Sequence, residues 1–467
     1  MTHSHSSLRP FGWFDIVRLG LVQACLGSMV VVATSTLNRI MVVELALPAL
    51  LPGLLVGLHY AVQLVRPRMG FGADQGRRCT PWMMAGVLIL ALGGNLAAWG
   101  TTWMAQDFMQ GVLLCLCAFA LIGLGVSACG TSLLALMAKR VPQEMRAPAA
   151  TTVWVMMIVG FAVTAVTVGK LIEPYSASRL LEVTSGLGIV ICVITALAIW
   201  GLEAPSPSTA AASEAATASD QSVSGQARDF KRALAEVWSQ PQARLFTLFV
   251  FLSMLAYSLQ DLILEPFAGA IFGMSPGQST QLSGVHHSGV LVGMLAVAVA
   301  GSKWVAGRLG SVQNWMVAGC LFSAVAMTGL TTAGMQGAPW PLKANVWFLG
   351  CANGVFSIAA IATMMRLANA GGGHSQGTRM GLWGAAQAMA FGLGGVLGTA
   401  LSDLAHWIAP TSGLAYAAVF ALEACMFIAS AMCAVWVGRL DESHADDTAW
   451  TPEPHTGPSG RLTEWQS

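Results

Sequence analysis

Long apolar runs recur along almost the whole chain, broken by short polar stretches. A helix needs about 20 mostly apolar residues to cross the hydrocarbon core of a bilayer. Twelve segments meet that demand, near 14–36, 48–66, 81–102, 110–137, 149–170, 184–202, 244–264, 285–307, 312–333, 344–366, 379–402 and 414–438. The pattern predicts an all-α membrane protein with twelve transmembrane helices.

Cytoplasmic loops of membrane proteins carry the excess of Lys and Arg. With both termini inside, only Arg39, Lys170, Arg179 and Lys343, of 23 basic residues, fall on the outer side. Arg66, Arg68, Arg77, Arg78, Lys139 and Arg140 are among those collected on the inner side. The bias predicts an N-in, C-in chain.

The pattern also divides the chain. Residues 1–202 make one six-helix bundle and 244–439 a second, with a cytoplasmic linker over 203–243 and a polar tail over 440–467. From Pro205 to Gln226 the linker is mostly Ala, Ser, Thr and acid, too poor in large apolar residues to fold. After it, Phe230, Leu234, Val237 and Trp238 recur at helical spacing, with Arg228, Lys231 and Arg232 on the other face. That predicts an amphipathic helix over about 229–239, either lying on an anionic membrane surface or simply extending helix seven. The acidic, Pro-containing tail is expected to be disordered. Trp82-Met83-Met84-Ala85-Gly86 opens helix three, and Trp315-Met316-Val317-Ala318-Gly319 opens helix nine. Arg146 with Trp154 has a rough counterpart in Arg379 with Trp383. Twelve helices, a central linker and a half-chain repeat describe a major-facilitator-like six-plus-six arrangement.

Composition agrees with a lipid solvent, since 55% of the 467 residues are hydrophobic and 10% charged. A net charge of +1 gives no reason to expect nucleic acid as a partner. Ten cysteines contain no CxxC pair and no Cys/His metal spacing, so no protein-bound metal is expected. No nucleophile constellation or nucleotide motif appears either, so catalytic residues are expected to be none and the chain is read as not an enzyme.

Several polar positions stand out against this background. Asp261 and Glu265 are four apart near the outer end of helix seven, so their carboxylates share a face and repel unless a cation sits beside them. Arg39, followed by Glu44 at the end of helix one, is the expected cation. The group is read either as a gate between the halves or partner contact, or as an interfacial ion pair that only closes the outer face. After helix two, the run Gly70-Phe71-Gly72-Ala73-Asp74-Gln75-Gly76-Arg77-Arg78 looks like the major-facilitator inner-loop motif, in which an acid and a basic pair latch the halves. It is one residue shorter than usual between Asp74 and the Arg pair, with Gln75 where a base is common; a tight turn carrying positive-inside charge is the other reading. His59 is the only histidine well inside a predicted span, whereas His286 and His287 fall at the outer start of helix eight and His406 past the end of helix eleven. Glu423 lies inside helix twelve with no obvious partner. Gly53, Gly57, Gly392 and Gly395 offer close helix packing or flat slots for a planar ligand.

The runs Leu19 to Gly27 and Thr34 to Leu45, the Arg66-Pro67-Arg68 loop and the segment from Gln260 to Gly273 resemble the PucC/LhaA family. These are major-facilitator-like proteins of phototrophic bacteria, also called the bacteriochlorophyll delivery family, that assist assembly of light-harvesting antenna complexes. The resemblance spans Phe11 to Arg439. It implies a multi-pass protein of the bacterial inner, intracytoplasmic membrane, with antenna polypeptides, bacteriochlorophyll and pigment-synthesis enzymes as partners. Bacteriochlorophyll as cofactor or cargo needs a magnesium ligand, usually a neutral imidazole in an apolar slot, for which His59 is the candidate; a hydrogen bond to a neighbouring helix is its other reading. The alternative function is secondary transport of a small apolar solute. Asp15, Arg18, Asp261 and Arg366, the charges assigned to helices one, four, seven and ten, all sit toward a predicted helix end, which favours an apolar cargo or scaffold over a proton-coupled pump.

Overall fold

The structure, a computed structural model, describes residues 11–63, 78–142, 145–203, 238–300, 311–370 and 376–449. Twelve helices are present among them. In the first half they are α1 (Trp13–Glu44), α2 (Leu50–Val62), α3 (Thr80–Trp103), α4 (Phe108–Arg140), α5 (Arg146–Ile172) and α6 (Ala177–Ile199). The second half has α7 (Pro241–Phe272), α8 (Pro276–Ala300), α9 (Val312–Gln336), α10 (Leu342–Ala370), α11 (Gln376–Ile408) and α12 (Ser412–Ala449). Eleven contain an apolar stretch long enough to cross a membrane; α2 is described for thirteen residues, its predicted continuation falling in 64–77. The chain is a multi-pass membrane protein.

Helix starts follow local chemistry. Asp107, Ser176 and Ser311 each accept a hydrogen bond from the backbone N–H three residues on, filling one of the donors a helix start leaves open. Gly273 closes α7 at φ +64°, a left-handed conformation that glycine adopts without Cβ strain.

The packing pairs repeat under a shift of six helices. The contacts α1–α5, α2–α4, α3–α4 and α3–α6 recur as α7–α11, α8–α10, α9–α10 and α9–α12, while α5–α8 and α11–α2 join the halves. The repeated pentapeptides share one role: Gly86 lies against Cys129 of α4, and Gly319 against Phe356 of α10. This is the pseudo-two-fold relation that the repeat predicts. Contacts between helices run backbone to backbone at small residues; a methyl group at Gly293 of α8 would sit 2.1 Å from the Cys351 carbonyl oxygen of α10. Buried apolar residues form two main clusters, one drawn from 11–202 and one from 246–437, with Leu262 of α7 joining the first. Leu88, Leu92 and Trp99 on α3 and Val190, Ile194 and Leu197 on α6 face outward at helical spacing, where lipid is the matching solvent.

Four predicted boundaries move by eight residues or more. Helix one runs to Glu44 rather than 36, and helix seven to Phe272 rather than 264. Helix eight begins at Pro276 rather than 285, and the last helix continues past 439 to Ala449, into the stretch read as disordered tail. Hydropathy misses the start of α8 because it is a polar helical stretch sheltered by protein. Thr280 of α8, for example, is 1% exposed and shares a 3.0 Å hydroxyl hydrogen bond with Thr36 of α1. Of the predicted surface helix, only Trp238 and Ser239 lie among the described residues, and both are helical.

Candidate functional site

The far end of α1 is wound as π-helix over Val32–Leu37 and again over Ile40–Glu44. A π-turn places residues five apart over one another, so Arg39 and Glu44 meet on one face. Arg39 is 2% exposed, and its Nη1 donates to Glu44 Oε1 at 3.0 Å. Its Nη2 donates to the Met274 carbonyl at 2.7 Å, which carries the bond across to the other half. The guanidinium lies flat against Gly269 of α7, where a methyl group would sit 2.3 Å from Nε. In the turn between α5 and α6, burial pushes the Tyr175 phenol above its ordinary range, with Glu44 adding to the shift and Arg39 opposing it.

Helix α7 breaks at Leu262–Ile263. Asn38 of α1 donates from Nδ2 to the Leu262 carbonyl at 2.7 Å, satisfying an acceptor that the break releases. Asp403 of α11 accepts from the Ala49 and Leu50 N–H groups at 2.9 and 2.8 Å, so an acid of one half caps the first turn of α2 in the other. Ser275 donates to Glu173 nearby. Together these contacts close a seam between the halves at the Arg39 end.

The expected pairing of Arg39 with Asp261 or Glu265 is not made. Among the described residues Arg39 has one ion-pair partner, Glu44, and neither Asp261 nor Glu265 has any. The π-turn puts Glu44 nearer than any carboxylate of α7. Glu265 stays within electrostatic reach of Arg39, yet it is 2% exposed with both carboxylate oxygens unpartnered among the described residues. The extension of α7 also moves both acids inward, so Asp261 sits at a mid-helix break rather than a helix end. Glu423 of α12 is wholly buried, also with both oxygens unpartnered among the described residues.

The early start of α8 likewise carries His286 and His287 into the interior, correcting their placement at the outer interface. His286 Nε2 lies 3.4 Å from Gln260 Nε2 and 3.3 Å from Asn353 Nδ2, and Ser323 donates to Asn353 Oδ1 at 2.9 Å. The network joins α7, α8, α10 and α9 through polar side chains. His287 Nδ1 bonds the Ser283 carbonyl at 2.8 Å, and its ring meets Phe161 of α5 edge to face. Sequence reasoning missed this network. Its one signal was that polar Gln, Asn and His recur in segments otherwise bound for lipid.

His59 is buried, with Nε2 2.8 Å from Gln63 Nε2 and its ring edge-on to Tyr60 at 4.9 Å. Its backbone carbonyl abuts Gly123 of α4. A macrocycle needs open space beside the imidazole, and at 3% exposure His59 has none in this state. Nor does His286, also 3% exposed. As placed in this structure, His59 and His286 therefore offer no exposed ring to a pigment magnesium. Of the inner-loop motif, Gly70, Asp74 and Arg77 lie outside the described residues; Arg78 is exposed just before α3.

A family profile described as PUCC protein matches residues 36–441. The chain belongs to the PucC family. The "Bacteriochlorophyll synthase 44.5 kDa chain" of Rhodobacter capsulatus is 46% identical over 431 residues, covering 91% of this chain and 96% of that one. "Protein PucC" of the same species is 29% identical, over 90% of this chain and 91% of its own. Among solved structures, peptide transporter POT in complex with sulfate superposes with a TM-score of 0.66 at 12% identity, over 93% of this chain and 97% of the other. A D-xylose-proton symporter gives 0.66 at 14%, over 89% and 97%. At such identities the likeness shows the fold: this PucC-family chain has the major-facilitator arrangement.

Proposed function

We propose that this PucC-family chain is an assembly factor for light-harvesting antenna complexes in a phototrophic bacterium. It holds or delivers bacteriochlorophyll, antenna polypeptides, or both, in the inner, intracytoplasmic membrane, with both termini on the cytoplasmic side. Family membership across 36–441 carries this reading. A relative named for a bacteriochlorophyll synthase chain, 46% identical over nearly its full length, ties the same family to the pigment. Pigment is here cargo rather than a resident group, a reading supported by the burial of His59 at 3% exposure. The chain does not itself perform pigment chemistry.

A strain lacking the protein tests the reading. Assembled antenna, measured by near-infrared absorption of membranes, falls while extractable bacteriochlorophyll is still made. Normal antenna absorption, or complete loss of pigment synthesis, overturns it. A second reading, secondary transport of a small apolar solute, draws on the transporter-like fold and on the ionisable groups that the longer α7 and earlier α8 carry inside. Co-purification in mild detergent separates the two: pigment or antenna polypeptides accompany an assembly factor and are absent from a solute carrier.

A further inference from the structure

Where α9 starts, a cavity of about 400 Å³ opens between α9 and α12, lined at its polar end by Gln313, Asn314 and Arg439. A second cavity of about 220 Å³ continues it, sharing Val317, Leu321 and Val435 with the first and adding Ile428, Met432 and Trp436. The two make one groove on the outside of the C-terminal half, polar at one end and apolar along the rest. Its apolar side chains are turned outward: Leu321, Ile428, Met432 and Trp436 are between 45% and 53% exposed.

Gly438 and Gln313 shape the polar end. The Gln313 side chain lies across this glycine, where any Cβ would collide with it, and its Nε2 donates to the Ala434 carbonyl at 3.2 Å. Toward the other ends of the same two helices the packing is closer. There Gly334 and Gly413 face one another, each with the other's carbonyl oxygen against the space a Cβ would fill.

Length and charge together identify the occupant. Arg439 ends the apolar span of α12, so the polar end of the groove sits at a membrane interface. From Arg439 down to Ile428 the helix descends roughly 16 Å at 1.5 Å per residue, against roughly 15 Å for half the hydrocarbon core of a bilayer. The groove is as deep as one acyl chain in one leaflet. Trp436 stands near the headgroup level, where tryptophan is favoured. Arg439 is exposed and has no ion-pair partner among the described residues; Glu442, one turn on along α12, lies outside those whose side chains are described. With the Gln313 and Asn314 amides lining the same end, Arg439 offers a cation and hydrogen-bond donors to a phosphodiester. A headgroup that brings its own ammonium meets Arg439 as a like charge.

We propose that the groove between α9 and α12 binds a phospholipid with a net anionic headgroup, its phosphate at Arg439 and one acyl chain along Leu321, Ile428 and Met432. The site is separate from the seam between the halves and from the buried histidines, and it stands whatever the cargo is.

The test titrates the full chain in mild detergent with phosphatidylglycerol or phosphatidylcholine and resolves each bound lipid by native mass spectrometry. The first phosphatidylglycerol should bind more tightly than the first phosphatidylcholine. Arg439→Gln should weaken that first phosphatidylglycerol about fivefold, the factor that one basic residue contributes at a membrane surface, and leave phosphatidylcholine unchanged. Arg439→Lys should keep the preference. Leu321→Trp, at an exposed position, fills the apolar part of the groove and should weaken both lipids; it carries the test should Arg439→Gln fail to insert. Equal binding of the two lipids to the parent overturns the proposal, as does a preference that neither Arg439→Gln nor Leu321→Trp alters. So does a doubled mass that Leu321→Trp returns to that of a single chain, which marks the groove as a contact between copies.

Discussion

Arg39 and Glu423 are both almost fully enclosed by protein, yet the fold treats them differently. Arg39 has a carboxylate at 3.0 Å and a carbonyl at 2.7 Å, and Asp403 near it spans two backbone N–H groups. Glu423 and Glu265, in the C-terminal half, have neither cation nor donor among the described residues. A buried charge with its partners in place makes a rigid, specific contact; one without them is poised to change protonation or position. The seam is therefore read as structure that holds the halves together, and the interior carboxylates as the part able to respond.

Four substitutions at the seam and in the interior bear on this contrast, taken site by site from the largest expected effect to the smallest. Glu44→Ala leaves the Arg39 guanidinium buried with only the Met274 carbonyl. Losing one partner of a buried pair costs about 3–5 kcal/mol, and the 36% exposure of the Glu44 side chain places this case near the lower figure, about 3 kcal/mol. Arg39→Met, which removes the buried charge itself, should cost clearly less. Chemical unfolding in detergent that ranks the two the other way would show that the seam is not held by this pair.

Asp403→Ala removes the shared acceptor of Ala49 and Leu50 and should cost about 1–2 kcal/mol, as loss of a helix cap does. Amide exchange at the first turn of α2 should rise while α3 stays protected, because the α3 start is capped separately by Glu203 on the Cys79 and Thr80 N–H groups. Equal exchange in both helices would mean that Asp403 acts globally and is not a local tie between the halves.

Glu423→Gln should leave stability within about 0.5 kcal/mol of the parent or raise it, since a neutral amide replaces a carboxyl that has no ion pair to lose. This inverts the sign expected for Glu44. A melting temperature that drops as far as in Glu44→Ala would reveal a hidden partner for Glu423 and remove the contrast.

Much of the architecture was legible along the chain. Helix number, the half-chain repeat and the family all followed from apolar length and from motifs such as Trp82 to Gly86, because a lipid solvent imposes one long helix per crossing. Arg39, Glu44, Asp261, Glu265 and Glu423 were also legible as unusual residues, because charge is scarce in such a chain. Their partners were not. The spacing of Asp261 and Glu265 suggested a shared cation, but the π-turns of α1 rotated Arg39 onto Glu44, and nothing in local composition announces a π-turn.

The His286 network shows the same division at the level of a whole helix. Pro276 to Gln281 reads as a polar connection, and the chain alone determined that it precedes an apolar run. Only tertiary packing decided that it is helix: Gly277 meets Gly169 of α5, and Thr280 meets Thr36 of α1, so the hydroxyls and backbone are satisfied within protein. Hydropathy reports the cost of a residue facing lipid, and that cost vanishes for side chains that face another helix. The sequence by itself determined how many times the chain crosses and which residues are out of place in a membrane. Which of those residues find partners, and which are left bare at the break of α7, was decided by how the two halves meet.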